Sequence, residues 1–224
     1  MRFLSVFFTI IFCSIFNAQN IGLVSDINPQ MGYTNAKDGV IFLNPVLEKD
    51  LDFNILDFTI DTLKKNNKLI KLYNEFNWNG FEVFDDFRTR YKKLKYLKSY
   101  CESKNIQELF IIRKSTSKQI FNSYIMFDKL QHNFGILTVN SAKKNVYLYS
   151  NFHVYKYSAK SEKIYIANLD EADDLNVYIN KKYDEKYDKF SKLLPNNIAI
   201  DYFSTYFKNY YSKTLLQLLN QKDN

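Results

Sequence analysis

The sequence predicts a mixed α/β fold: a single mixed β-sheet ending in an antiparallel meander, with helices packed on it and two C-terminal helices. Three observations predict it. Strand-like and helix-like segments alternate through the first half, the pattern of parallel strands joined by helical crossovers. Strand-like segments with short polar gaps follow at 119–168, the pattern of antiparallel hairpins. The composition is 46% apolar and 25% charged, with five Gly and three Pro. That belongs to a globular domain and excludes collagen-like, elastic and Pro-rich linker material.

The chain opens on Arg2 and an almost wholly apolar run from Phe3 to Phe16, broken by Ser5, Thr9, Cys13 and Ser14. Asn17-Ala18-Gln19 then offers a small residue for cleavage after Ala18. A charged start, a short apolar run and a small-residue exit make a Sec-type signal peptide over 1–18. The run is about 14 residues, short for a membrane span; retention as an uncleaved anchor is the other reading. Phe12 stands where a lipoprotein signal at Cys13 would place a small residue. Removal of the signal leaves 206 residues as a single domain, 19–224, in the periplasm or outside the cell. No other stretch approaches the 18 apolar residues of a span, so the mature chain is expected not to span a membrane.

Residues 20–27 and 39–43 read as strands, separated by the turn formers Pro29, Gly32 and Asn35, with Pro45 closing the second. A helix is expected from Asp52, because Phe53, Leu56, Ile60 and Leu63 share one face and Lys64 and Lys65 suit its carboxyl end. Residues 68–73 alternate weakly, as a strand. Trp78-Asn79-Gly80 is a loop. A helix over 84–103 carries Phe87, Tyr91, Leu94, Leu97 or Lys98, and Cys101 along one stripe, and Leu109 to Arg113 is a buried strand. The later strands are 119–127, 134–139, 145–157 and 162–168, with a further candidate at 175–179. Two helices, 183–194 and 198–219, flank Pro195 and close the chain.

The basic balance has a simple cause. Of 31 Lys and Arg only four are Arg, and Asn occurs 25 times beside 18 Tyr and 20 Phe. Lys, Asn, Ile, Phe and Tyr all have A- and T-rich codons. Nucleic-acid recognition leans on Arg for bidentate contacts, so no nucleic-acid partner is expected. The densest basic run, Arg88 to Lys98, lies on the predicted helix and reads as its solvated face. Association of that face with a membrane surface is a third reading of function.

The strand 145–157 is the most informative. Val146, Leu148, Ser150, Phe152 and Val154 share one face and Asn145, Tyr147, Tyr149, Asn151, His153, Tyr155 and Tyr157 the other. The first set is a core face. The second is aromatic with polar tips, so Tyr147, Tyr149, Asn151, His153 and Tyr155 form the candidate ligand-binding surface, through ring stacking and a few hydrogen bonds. The alternative is that these rings pack beneath a helix.

Other chemistries find little support. Two His, 21 residues apart, and no paired Cys exclude a structural zinc site. The acidic group Asp170, Glu171, Asp173 and Asp174 lacks the spacing of a calcium loop, and no metal or cofactor is expected. No Gly-x-Ser-x-Gly and no Gly-rich phosphate loop occur. Cys101 is the one thiol left after the signal, so no internal disulfide forms. It reads as a small apolar residue on a helix face, or as a nucleophile with His132 or His153, or as an intermolecular bridge.

Ile21-Gly22-Leu23-Val24-Ser25, Gly39-Val40-Ile41-Phe42-Leu43-Asn44, the helix from Asp52 and Asn133-Phe134-Gly135-Ile136-Leu137 before the Tyr-rich strand carry a resemblance. Their order resembles uncharacterised secreted or periplasmic bacterial proteins. The layout looks like the small α/β modules of cell-envelope assembly proteins, such as the amino-terminal domain of TolB. The resemblance implies an envelope role without catalysis and no particular site residue. The expected function is an exported, non-catalytic binding or interaction module whose partner is an envelope protein or a glycan. The alternative is a small secreted hydrolase using Cys101 or an unmarked carboxylate pair.

Overall fold

Alternating apolar residues produce nine strands among the described residues, and these assort into two sheets rather than one. The computed structural model describes residues 20–37, 44–65, 69–81, 87–114, 130–140, 144–167 and 197–221. In chain order the elements are β1 (Asn20–Ser25), β2 (Gln30–Lys37), β3 (Asn44–Asn54), α1 (Ile55–Lys64), β4 (Leu69–Leu72), a 3-10 turn (Trp78–Phe81), α2 (Phe87–Lys104), β5 (Glu108–Lys114), β6 (Phe134–Asn140), β7 (Lys144–Ser150), β8 (Phe152–Ser158), β9 (Lys163–Ala167) and α3 (Asn197–Asn220). The larger sheet runs β4-β1-β5-β8-β9 and the smaller β3-β2-β6-β7. In the larger, β1 pairs parallel with β4 and β5, while β8 and β9 follow antiparallel. The mixed α/β class stands as expected, and β1, β4 and β5 pair in parallel as expected, whereas β2 and β3 form an antiparallel pair in the smaller sheet. The single sheet does not stand.

The long strand predicted at 145–157 is the reason. It breaks at Asn151, whose N–H donates to the Asn133 carbonyl at 2.6 Å. β7 pairs with β6 in the smaller sheet and β8 with β5 in the larger. The alternation still holds across the break: Leu148, Phe152 and Val154 all face one shared core. The meander is thus divided into two hairpins, one per sheet.

Three further boundaries move. Residues 30–37, read as a turn, form β2 in the middle of the smaller sheet. Gly32 is there for clearance and not for a turn, because a Cβ on it would run into the His132 ring. Pro45 lies within β3, which is an edge strand and tolerates it at a bulge. The first helix starts at Ile55 rather than near Asp52, because Leu51 and Phe53 belong to the strand pattern of β3. Asn54 caps it, its side-chain oxygen accepting from the N–H groups of Leu56 (2.9 Å) and Asp57 (3.2 Å). On α2 the inward residues are Leu97 and Cys101; Tyr91 and Lys98 point to solvent. Of the two C-terminal helices, α3 matches the second. The segments 1–18, 39–43, 119–127, 175–179 and 183–194 lie outside the described residues.

The main core lies between the two sheets. α3 sets Phe203, Phe207, Tyr211 and Leu215 on one stripe at helical spacing, all buried. Phe207 stacks on Phe134 of the smaller sheet at 5.1 Å and meets Phe53 edge-on at 5.8 Å. Tyr211 reaches Phe152 of the larger sheet at 6.1 Å. The Thr59 hydroxyl donates to the Ile55 carbonyl at 2.6 Å, so the Tyr211 hydroxyl, 2.9 Å away, donates to Thr59. The carboxyl end of α3 is held by buried Lys156, which donates to the Gln221 carbonyl at 2.9 Å and lies 3.6 Å from Glu108. A second core on the opposite face of the larger sheet gathers Val24, Phe81, Leu97, Cys101, Ile106, Leu109, Ile111, Tyr155 and Tyr157 beneath α2.

Two outcomes follow from this packing. Gly135 has a φ of +155°, and a Cβ on it would overlap the Gly32 carbonyl of the paired strand. Gly135→Ala should therefore destabilise the fold by about 3 kcal/mol or more, read from urea unfolding. Tyr211→Phe keeps the ring contacts and loses one buried hydrogen bond. It should cost about 1 kcal/mol in the same measurement, and an unchanged midpoint would refute the pairing with Thr59.

Candidate functional site

Sheet topology selects one end of the larger sheet. From β1 the chain moves outward to β4, then returns across β1 to β5. α1 packs in the main core on one face and α2 in the second core on the other. Such reversals of strand order open a crevice at the carboxyl ends of the parallel strands. Here those ends carry Asp26 beyond β1, Tyr73 beyond β4, and Arg113 and Lys114 at the end of β5. The antiparallel partner β8 brings His153 to the same end, opposite Arg113.

Strand parity places Asp26, Arg113 and His153 on the α2 face. The Asp26 carboxylate accepts the Lys114 N–H at 2.8 Å, and its second oxygen lies 3.8 Å from the Arg113 Nε. Burial pushes the Asp26 carboxyl above its ordinary value of 3.8. The Lys114 N–H and the Arg113 charge pull it down without offsetting that burial. Arg113 donates to the carbonyls of Trp78 and Phe81, and its guanidinium lies over both rings, 5.7 and 5.5 Å from their centres. Lys93 stands over the Phe81 ring at 4.9 Å.

Beside this pair of charges lies a nest of half-exposed rings. Phe76 is its centre, 4.7 Å from Trp78, 5.4 Å from Tyr96 and 5.0 Å from Tyr100. Tyrosine hydroxyls fix the loop that carries it: Tyr96 accepts the Asn77 N–H at 2.9 Å and Tyr100 donates to the Glu75 carbonyl at 3.0 Å. A carboxylate, a guanidinium and indole and phenol rings thus converge on one end of a rigid sheet. That arrangement can bind a polar ligand with a flat or apolar face.

The residues singled out from sequence are distributed otherwise. Tyr149 is buried on the outer face of the smaller sheet, with its hydroxyl pushed far up by burial. Asn151 is buried at the break between β7 and β8. His153 and Tyr155 face α2, their rings 6.1 Å apart, and both are buried. The backbone of Tyr147 pairs with Leu137 in the smaller sheet, and its side chain lies outside the described residues. The five therefore do not form one exposed face; only His153 lies at this end of the larger sheet, in register with Arg113. Asp26, Trp78 and Arg113 escaped the sequence reading. Their signal was present, an acid directly after a strand and a basic residue at a strand's end, but it needs the strand order to be visible.

Cys101 is buried among Leu97, Ile106 and Leu109, and burial pushes its thiol up to about 12. A thiol so raised is a poor nucleophile. His132 is 2% exposed, its Nε2 2.6 Å from Asp50, and its Nδ1 is buried with no partner among the described residues. It lies over Gly32 of the smaller sheet, whereas Cys101 sits on the inner side of α2 against the larger sheet. Among the described residues no three His, Cys, Asp or Glu side chains gather as metal ligands. No described helix is long and apolar enough to cross a membrane.

Comparison of the chain with protein-family models, with curated proteins and with solved structures finds no match.

The shifted groups define two measurements. A carboxyl raised by folding opposes folding wherever it is ionised, from its unfolded value upward. Asp26→Asn keeps an oxygen for the Lys114 N–H and removes the part-buried charge. It should melt at or above the wild-type temperature at about pH 7, and the difference should vanish near pH 3, where Asp26 is protonated in both states. Cys101 should resist alkylation in the native protein and react fully in denaturant; rapid native labelling would contradict its burial.

Proposed function

We propose that the chain is an exported, non-catalytic binding module of the bacterial cell envelope. Its ligand end is the crevice between β1 and β5 and the ring nest beside it. One observation carries the reading: the part-buried Asp26 carboxylate, the Arg113 guanidinium and the Trp78 indole meet at the strand-order reversal of the larger sheet. A carboxylate held beside a cation-covered indole is a group set suited to recognition of a polar ligand with a flat face. Export rests on the signal-like residues 1–18, and the partner class is an envelope protein or a glycan. The buried thiol of Cys101 counts against the hydrolase alternative that used it.

Trp78 is the single tryptophan, so its emission reports directly on the site. Soluble peptidoglycan fragments and fractionated envelope proteins should be titrated against the chain from Gln19 onward. At least one should shift the emission of Trp78, and Asp26→Asn with Arg113→Met should abolish the shift while the melting transition survives. No shift from any fraction, or a shift that the double variant retains, would overturn this reading.

A further inference from the structure

We propose a second interaction surface that goes beyond the ring-lined crevice and stands without it: the outer edge of β4 takes an extended peptide strand from a partner, with a carboxylate set opposite Lys71. β4 is the edge of the larger sheet, and among the described residues nothing pairs with its outer side. The Tyr73 N–H donates to the Leu23 carbonyl of β1 at 2.9 Å. In a parallel ladder alternate residues turn both backbone groups to the same neighbour. Leu69, Lys71 and Tyr73 therefore face β1, and Ile70 and Leu72 offer their N–H and C=O groups outward.

The side chains along this edge are unusual for solvent. Leu69 is 61% exposed and Leu72 38%, on opposite faces of the strand. An unpaired edge with apolar residues on both faces is a template for strand addition. Lys71 decides the partner. A second copy of this chain, paired antiparallel in the register of greatest overlap, sets Lys71 directly against its own counterpart. Like charges at that separation are destabilising, whereas an acidic residue there is favourable. Exposed Lys64 and Lys65, at the end of the helix leading into β4, carry the same sign. The fitting segment alternates, with apolar residues beside Ile70 and Leu72 and an acid beside Lys71.

The test uses the chain from Gln19 and two fluorescein-labelled heptapeptides, one alternating Val and Asp and one alternating Val and Lys, read by anisotropy. The Val-Asp peptide should bind and the Val-Lys peptide should not. Leu72→Pro removes one outward N–H without touching the β1 ladder, and should weaken binding about tenfold or more with the melting transition preserved. Lys71→Glu should exchange the peptide preference, a readout independent of whether the proline variant folds. Equal binding of both peptides, binding of neither, or a Lys71→Glu chain that keeps the wild-type preference would overturn the proposal. A concentration-dependent dimer lost in Leu72→Pro would replace it with a second copy as the occupant.

Discussion

The fold hangs on the seam where the chain passes between its two sheets, and Asn133 holds that seam. Its side-chain oxygen accepts the Asn28 N–H at 2.9 Å and its carbonyl accepts the Asn151 N–H at 2.6 Å. Asn28 lies where β1 of the larger sheet gives way to β2 of the smaller, and Asn151 where β7 returns to β8. At both crossings, half-buried at Asn28 and buried at Asn151, a backbone N–H has left its ladder and needs a partner. One side chain and one carbonyl supply both. With the crossings fixed, the apolar faces of the two sheets must look at each other, and α3 has a core to fill.

That arrangement leaves the two sheets unequal. The larger is covered on both faces, by α3 and α1 on one and by α2 on the other, so its freedom lies at its ends and edges. Its carboxyl end carries Asp26 and Arg113, and its β4 edge carries exposed leucines. Several interior polar groups are tied instead: Lys156 to Gln221 and Glu108, Thr59 to Tyr211, and the Nε2 of His132 to Asp50. Buried charges of this kind contribute orientation more than stability, since the desolvation of each partner offsets most of the attraction. Lys156 directs the end of α3 onto the sheet; Arg113 directs the Trp78 loop onto β5.

Recognition and reactivity part company in this molecule. The groups with the greatest chemical potential, the Cys101 thiol and the His132 imidazole, are enclosed, one by aliphatic side chains and one over a glycine. The groups that meet solvent include rings, lysines and carboxylates such as Asp50 and Glu162. On α2 the basic run divides in the same sense. Lys92, Lys95 and Lys98 face outward, Lys98 against Glu162 at 2.5 Å, and Lys93 turns in over Phe81.

Local periodicity by itself determined the α/β class, the parallel set of β1, β4 and β5, the long closing helix and the inward face of Leu148, Phe152 and Val154. Each is a matter of side chains repeating every two or 3.6 residues, which neighbours in sequence express without help. It also marked the Tyr-rich stripe as strand. Tertiary structure decided everything that depends on who lies opposite. The break at Asn151 has no local signal, because the alternation runs through it unchanged, and only the pairing partner changes from β6 to β5. β2 looked like a turn because Gly32 has two uses, and clearance for His132 is visible only once residue 132 is folded over residue 32. The crevice was hidden for the same reason. Asp26, Trp78 and Arg113 are far apart in the chain, and they become a site only when β5 returns to lie beside β1.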